Sequence, residues 1–319
     1  MGGDSSPVVL FQAIIEAVDR FSESVFFVFV TPQAHEAILK GYPHFPMQQI
    51  FFHLAKEVIA MEDEPLSTIR QKKKSSLVEG IIQLRKEKLD GFISLGNTGA
   101  LIGAAKLLLS PLSHAKRPAL LATFPTKQGE LCVLDVGGNV SCKASHLVEF
   151  ARLGVAYQQC VTGIKMPKVG LLNVGIESKK GTAEVRLAYS LLQEENQKGN
   201  ICFVGNVEGD EVFRGNIDVL VTDGFTGNVF LKTSEGVASF LLQECHDLVH
   251  TMHSEKGSFL LQKLQHRFHH EYYNGALVCG VDGIVLKCHG HTSSQGLLSG
   301  IQKTVEFIQK QLIKQLKAC

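Results

Sequence analysis

Four loops rich in glycine and asparagine each follow a short apolar run in this sequence. They are residues 96–100 (GNTGA), 137–139 (GGN), 175–181 (GIESKKG) and 223–228 (DGFTGN). Glycine lets backbone N–H groups approach an anion closely, and the N-termini of the helices that follow add positive potential. One such loop alone is most simply a tight turn. Four of them together predict a site for phosphate or a phosphorylated ligand.

Two side chains in these loops are our candidates for chemistry on that phosphate. Lys180, with Lys179 as its substitute, would neutralise the anion. Asn228 would donate a hydrogen bond to an oxyanion or orient the phosphate, because an amide donates without titrating. The alternatives are a solvated loop lysine and a turn asparagine that caps the next helix.

Further residues are predicted to assist this chemistry. His289 would protonate a departing thiolate, unless it is a structural histidine at a strand end. Asp135 and Asp223 are poor ligands for an anion, so we expect them to brace their loops. Cys142 as an acyl-carrying nucleophile is a weaker hypothesis. The residues predicted to bind phosphate are Gly96, Asn97, Thr98, Gly99, Gly137, Gly138, Asn139 and Gly227.

Nucleotide and metal sites lack their usual signatures here. None of the loops has the GxxxxGK[ST] pattern, and none is a clean GxGxxG after the first strand. The 13 histidines include no HExxH motif. The sequence therefore predicts neither a bound metal nor a cofactor.

Short β-branched runs alternate with amphipathic helices, which predicts an α/β fold around a doubly wound, mostly parallel sheet. A hairpin of Ala276–Cys279 and Ile284–Lys287 is expected in a small appendage. The predicted strands are Val25–Val30, Gly91–Leu95, Ala119–Phe124, Leu131–Val136, Val169–Val174, Ile201–Val204 and Ile217–Thr222. The predicted helices include Val8–Phe21, Leu77–Leu89, Ala183–Gln193 and Ser234–Val249, with a core-facing stripe from Leu297 to Leu312.

Composition limits the possible partners and location. The net charge is only +1 and no basic tail is present, so nucleic acid is not expected as a partner. The eight cysteines show no CxxC spacing, which favours a reducing compartment and a cytoplasmic location. We expect one large domain over 1–319. The turn Gly2-Gly3-Asp4 would normally follow a strand, so either the true start lies upstream or a strand has been lost.

Residues 250–272 are expected to form a helical insertion with an amphipathic character. Lys256, Lys263, Arg267 and His270 lie opposite an apolar arc. A basic amphipathic helix can lie on an anionic bilayer, and the alternative is a helix packed at a dimer interface. The residues predicted to contact the membrane are Leu260, Leu261, Leu264 and Phe268.

Longer motifs resemble one known family, the bacterial phosphate acyltransferases (PlsX). They run in the expected order over nearly the whole chain. Gly138 and Ser141 stand where that family usually has Ala and Asp. The matching motifs are GGD at 2–4, SLGNTGAL at 94–101, RPAL at 117–120, LDVGGNV at 134–140, VGLLNVG at 169–175, KKG at 179–181, GNVE at 205–208, DGFTGNV at 223–229, LKT at 231–233, YNGA at 273–276 and KCHG at 287–290.

The resemblance implies an activity and a set of partners. The family makes acyl phosphate from long-chain acyl-[acyl-carrier-protein] and inorganic phosphate for phospholipid synthesis. It implies a homodimer related in fold to phosphotransacetylase and isocitrate dehydrogenase. It also favours peripheral membrane contact, since a membrane glycerol-3-phosphate acyltransferase consumes the product. Three alternatives stay open: a short-chain acyl-CoA phosphotransacylase, a non-catalytic membrane-attached scaffold and an NAD-linked dehydrogenase.

Overall fold

A computed structural model describes residues 1–112, 115–252, 255–268 and 275–318 of the chain. The chain divides into two compact units, which are treated separately below. Unit 1 comprises residues 1–118 and 274–318, and unit 2 comprises residues 119–273.

Unit 1 contains two groups of strands surrounded by helices. β1 and β2 pair in parallel, with Phe26 opposite Ile50. β10 pairs in parallel with β3 and antiparallel with β9. The elements are α1 (Pro7–Arg20), β1 (Phe26–Val30), α2 (Pro32–Gly41), β2 (Ile50–Leu54), α3 (Pro65–Gln71), α4 (Ser76–Arg85), β3 (Gly91–Ser94), α5 (Thr98–Leu108), β9 (Ala276–Cys279), β10 (Ile284–Lys287), α10 (Ser294–Gln309) and α11 (Leu312–Ala318).

Unit 2 is built on five strands in the order β4-β5-β8-β6-β7. β4 and β5 are antiparallel, and the other neighbours are parallel. The elements are β4 (Ala119–Thr126), β5 (Gly129–Leu134), α6 (Ala144–Thr162), β6 (Lys168–Leu172), α7 (Ala183–Gln197), β7 (Cys202–Val207), a 3₁₀ turn (Val212–Arg214), β8 (Val219–Val221), α8 (Gly224–Met252) and α9 (Glu255–Phe268).

The central strands of unit 2 are buried on both faces. Leu131 to Leu134 and all three residues of β8 are fully buried. α6 packs closely on them at Gly154, where a Cβ atom would lie 2.4 Å from Val219 Cγ1. This explains why the strands appear in the sequence as continuous apolar runs.

The predicted strands and helices are confirmed, with ends that shift by a few residues. The α/β class with a mostly parallel sheet is confirmed as well. The hairpin is formed by β9 and β10, and β10 also pairs with β3. β2 was not predicted, because its five residues carry no glycine-rich turn signal. The helix predicted at 234–249 is part of the longer α8.

The stripe of the last helices is largely core, as predicted. Leu297, Leu298, Ile301 and Leu312 are buried. The single-domain organisation stays a prediction, as does the insertion over 250–272, of which residues 253–254 and 269–272 lie outside the described part of the chain. Among the described residues, no helix combines the length and the apolar character needed to cross a bilayer.

A buried carboxylate links α6 to α7 in unit 2. Glu195 accepts hydrogen bonds from Arg152 Nη2 (2.6 Å), Lys198 Nζ (3.2 Å) and Asn200 Nδ2 (3.1 Å). The hydrogen bond from Arg152, assisted by Asn200 and Lys198, lowers the pKa of Glu195 to about 2, although burial opposes the shift.

The stability that Glu195 provides is expected to depend on pH. Because its pKa is lowered, the ionised form stabilises the fold above its ordinary pKa of 4.5, and this stabilisation is lost as the pH falls from 4.5 to about 2. Glu195→Gln is expected to lower the free energy of unfolding by about 1–2 kcal/mol at pH 7. The difference from wild type should shrink over that pH window in urea denaturation. Exposed Glu194→Gln is the control, and an equal loss there would contradict the assignment.

Candidate functional site

Three of the four glycine-rich loops leave one edge of the sheet in unit 2. They follow β5, β8 and β6, which are consecutive parallel neighbours, so their carboxyl ends lie side by side. This is the edge where ligands bind in open α/β sheets. The fourth loop, 96–100, follows β3 in unit 1 and is described with that unit.

The loop after β5 is organised around Asp135, whose side chain is 0% exposed. Oδ1 accepts hydrogen bonds from the N–H groups of Leu120 (2.9 Å), Gly137 (3.1 Å) and Gly138 (2.8 Å). Oδ2 accepts from the backbone N–H and the Nδ2 of Asn139, at 2.7 and 2.8 Å. Burial raises the pKa of this carboxyl, and the hydrogen bonds from Gly138 and Asn139 act in the opposite direction.

The bracing role predicted for Asp135 therefore matches its contacts. The three backbone N–H groups that we expected to cradle phosphate, those of Gly137, Gly138 and Asn139, donate to the protein's own carboxylate instead. The amide of Asn139 is likewise turned towards Asp135. In this arrangement none of these N–H groups faces a ligand.

α8 begins against the same loop at van der Waals distance. Gly224 N–H donates to Asn139 O (2.8 Å), and a Cβ atom on Gly227 would lie 1.9 Å from Asp135 O. Asp223 caps the helix, accepting from the backbone N–H and the hydroxyl of Thr226 at 2.9 and 3.0 Å. Gly227 is thus required for the close approach of two backbones, a different reason from the phosphate binding predicted for it.

Asn228 lies in the first turns of α8 and is exposed. Its Nδ2 donates to Val136 O at 3.1 Å. Gly137, with φ of +136°, makes room for it, because a Cβ atom there would lie 3.0 Å from Nδ2. Within the described residues, the other amide hydrogen and Oδ1 have no protein partner, so Asn228 keeps one donor for a ligand.

The loop after β6 carries the cations. Asn173 closes it by donating Nδ2 to Lys180 O (3.2 Å) and accepting from Val174 N–H (2.9 Å). Lys179 and Lys180 are exposed, and in the part of the chain that the structure describes neither ammonium has an acidic partner. The backbone N–H groups of residues 175–179 are also unpaired among described residues. This loop, which we call the basic loop (residues 175–181), is therefore open to an anion.

Asn206, at the end of β7, supports the basic loop and was not singled out as a site residue from the sequence. Its Nδ2 donates to Glu177 O at 2.9 Å. Its buried Oδ1 has no hydrogen-bond partner among the residues that the structure describes. The position of Asn206 at a strand end next to Gly205 was the available signal.

In unit 1, Asn97 caps α5 and is fully engaged. Its Oδ1 accepts from Ala100 N–H (2.9 Å), and its Nδ2 donates to the carbonyls of Ala60, Met61 and Asp63. Its side chain thus anchors a neighbouring loop. The N–H groups of Thr98 and Gly99, at the start of α5, have no partner within the described ranges. Both are donors of the 96–99 segment that could bind an anion.

The Gly2-Gly3 turn and His289 also belong to unit 1. Gly2 has φ of +78°, and a Cβ atom there would lie 2.4 Å from Ile59 O and 3.7 Å from Gly96 Cα. Gly290 O accepts the N–H of Asp4 at 2.9 Å, so half-buried His289, next in sequence, lies near this turn.

Packing buries one residue of the apolar arc of α9 and leaves the other three exposed. Leu260 is 60% exposed, and Leu264 and Phe268 are also exposed. Leu261 is 7% exposed, so it belongs to the interior and is not available to a surface, unlike our prediction. Arg267 donates to Thr126 O at 2.7 Å, which connects the end of α9 to the end of β4.

The family described as "Fatty acid synthesis protein" matches residues 1–315 of this chain. A protein named Phosphate acyltransferase from Chlamydia pneumoniae is 39% identical over 323 residues, covering 99% of this chain and 96% of its own length. One of the same name from Halothermothrix orenii is 37% identical over 322 residues, with the same coverage. This chain belongs to the phosphate acyltransferase family. The prediction of an enzyme of this family, an acyltransferase of fatty acid and phospholipid synthesis, is confirmed at that level.

Solved structures with the same fold are more distant in sequence. A phosphotransacetylase from Streptococcus pyogenes has a TM-score of 0.62 at 12% identity, covering 98% of this chain and 92% of its own. A branched-chain phosphotransacylase from Enterococcus faecalis has a TM-score of 0.59 at 13% identity, covering 96% and 97%. These likenesses confirm the predicted fold class for this member of the phosphate acyltransferase family.

Substitution by alanine is expected to have opposite effects on stability at two glycines of α8, because only Gly227 of the two closely approaches another backbone. Gly227→Ala is expected to destabilise the protein by about 3 kcal/mol or more, because the new methyl group would overlap Asp135 O. Gly236→Ala, where a Cβ atom meets nothing within 4 Å, is expected to stabilise by about 0.5–1 kcal/mol. Urea denaturation measures both, and a tolerated Gly227→Ala would contradict the packing described here.

Proposed function

We propose that this chain transfers a long-chain acyl group from acyl carrier protein to inorganic phosphate. A phosphate oxygen attacks the thioester carbonyl carbon, a C–O bond forms and the C–S bond breaks. The sulfur leaves with the bonding electrons, and the proton of hydrogen phosphate ends on the free thiol. No covalent intermediate on the enzyme is needed, since phosphate is already a nucleophile and a thiolate leaves with a pKa of roughly 8.5.

The observation that carries this proposal is the open basic loop at the sheet edge. Its unpaired N–H groups and the exposed ammonium groups of Lys179 and Lys180 supply the positive charge that hydrogen phosphate requires. Lys180 would hold phosphate against the repulsion of its own charge. Asn228, with one amide hydrogen free, would donate to the oxyanion of the tetrahedral intermediate.

The remaining residues of the proposal lie in unit 1. The N–H groups of Thr98 and Gly99 at the start of α5 would attract an anion, and His289 would protonate a leaving thiolate. These roles stay predictions from the residue types and the family motifs. The carrier protein as donor and a cytoplasmic location belong to the same proposal.

Acyl phosphate formation tests the reaction and its two main residues. With palmitoyl-acyl carrier protein and phosphate, trapping with hydroxylamine is expected to yield a phosphate-dependent product. Lys180→Ala and Asn228→Ala are each expected to lower kcat/KM by about 10²-fold or more, because each removes a charge or donor from the transition state.

Lys106→Ala and Asn216→Ala, both exposed and away from these loops, are the matched controls and should keep wild-type rates. Faster turnover with acetyl-CoA than with the carrier protein would favour the short-chain phosphotransacylase instead. If folded wild-type protein formed no product with either donor, the non-catalytic scaffold would be the remaining hypothesis.

We also propose that exposed apolar side chains of α8 and α9 serve assembly and membrane contact. Large exposed apolar patches mark interaction surfaces, and both helices carry several exposed apolar side chains. Lys256 and Lys263 would attract anionic headgroups beside the apolar face of α9. On α8 the face would join a second copy in a homodimer, and a membrane glycerol-3-phosphate acyltransferase would receive the product. The exposed residues are Val237, Phe240, Leu241, Leu248, Phe259, Leu260, Leu264 and Phe268.

Vesicle co-sedimentation tests the membrane part. The protein is expected to bind vesicles containing anionic lipid more tightly than neutral ones. Leu260→Glu should weaken binding roughly tenfold, since it removes one buried leucine from the contact. Leu187→Glu on α7, a comparably exposed leucine, is the control. Equal binding by wild type and Leu260→Glu would rule out contact through α9.

A further inference from the structure

Asp135 is a buried carboxyl group that cannot itself touch a substrate. Its carboxylate is 0% exposed and is surrounded by N–H donors from Leu120, Gly137, Gly138 and Asn139. A buried polar group is unfavourable unless hydrogen bonds satisfy it, and here five N–H donors reach the two carboxyl oxygens. As a result, the N–H groups of Gly137, Gly138 and Asn139 all turn inward to the carboxylate.

The hydrogen bonds to Asp135 also bear on the orientation of Val136 O and of the Asn228 amide. Val136 lies between Asp135 and Gly137, the residues whose positions the carboxylate holds, and its carbonyl accepts Asn228 Nδ2 at 3.1 Å. Gly137 borders the same amide nitrogen, where a Cβ atom would lie 3.0 Å away. An amide group is planar, so a hydrogen bond through one N–H sets the direction of the other N–H and of Oδ1.

We infer that Asp135 is a positioning residue that aims the amide of Asn228 through the loop of residues 136–139. The inference rests on the proposed function only for the role of Asn228 in the reaction; the geometric link stands on its own. Hydrogen bonds to the carboxylate hold the loop in place. The loop in turn fixes the position of Val136 O, and the hydrogen bond to Val136 O orients the amide of Asn228. A small change in the loop would misdirect the donor without removing it.

Steady-state kinetics of Asp135→Asn test this link. The amide has the shape of the carboxylate but turns an NH₂ group towards existing donors, which displaces the loop. We expect kcat to fall by about 10- to 100-fold, because misplacing a catalytic group by about 1 Å has that effect. KM for phosphate and for the acyl donor should stay within about threefold.

The decisive measurement is the double-mutant cycle with Asn228→Ala. If Asp135 acts through Asn228, then Asp135→Asn combined with Asn228→Ala is no slower than Asn228→Ala alone. Effects of the two changes that multiply would overturn the inference. Asp218→Asn is the matched control: Asp218 Oδ2 accepts Lys168 N–H at 2.7 Å at the amino end of β8, so its loss should not couple to Asn228.

Gly137→Ala provides a second route to the same answer if Asp135→Asn does not fold. The new methyl group would press on Asn228 Nδ2 without removing the carboxylate. It should lower kcat and show the same lack of additivity with Asn228→Ala. A variant that folds and turns over at the wild-type rate would count against the inference.

Spectroscopy separates this inference from the proposed reaction. The side-chain amide signal of Asn228 in ¹H–¹⁵N spectra is identified by its absence in Asn228→Ala. It is expected to shift or broaden in Asp135→Asn, or in Gly137→Ala, and to stay unchanged in Asp218→Asn. If wild type shows no turnover, the proposed function fails while this signal still decides the link. An unchanged signal in a folded Asp135→Asn or Gly137→Ala would overturn the link even in an active enzyme.

Discussion

The edge of unit 2 depends on one buried carboxylate. Asp135 is removed from water and satisfied by N–H groups of Leu120 and of the three residues that follow Val136. The N–H groups of Gly137, Gly138 and Asn139 turn inward to the carboxylate, whereas two carbonyls of the loop face α8. The carbonyls of Val136 and Asn139 then receive Asn228 and Gly224. These two hydrogen bonds connect the start of α8 to the loop.

Glycine has two different functions along the same edge. At Gly224 and Gly227 it permits two backbones to meet, since a Cβ atom would lie 2.5 Å from Asn139 O or 1.9 Å from Asp135 O. In the basic loop the backbone N–H groups of residues 175–179 have no partner in the part of the chain that the structure describes. A loop whose N–H groups are satisfied internally thus shares the sheet edge with one whose N–H groups could accept an anion. Such a division is suited to a site that must bind phosphate and direct a hydrogen bond at a reacting carbonyl.

Composition and hydrophobic periodicity were sufficient to predict the buried strands and the glycine-rich loops of this protein. Continuous apolar runs predicted the buried strands, because burial on both faces leaves no room for polar residues. Glycine and asparagine after those runs predicted the loops, and three of them do lie together at adjacent parallel strands. Family motifs spread over the chain predicted the phosphate acyltransferase family. Lys180 and Asn228 are exposed, and their roles stay predictions.

Only the tertiary structure determined which groups the hydrogen-bond donors of the loops bind and which apolar side chains are buried. The N–H groups of residues 137–139 look like an anion cradle in the sequence, yet they surround Asp135. Asn97 looks like a ligand, yet its amide binds carbonyls of residues 60–63. Leu261 has the spacing of an exposed arc and is buried. Composition and periodicity are local properties, whereas the partner of a donor such as Asn228 lies 92 residues away and is brought near only by folding.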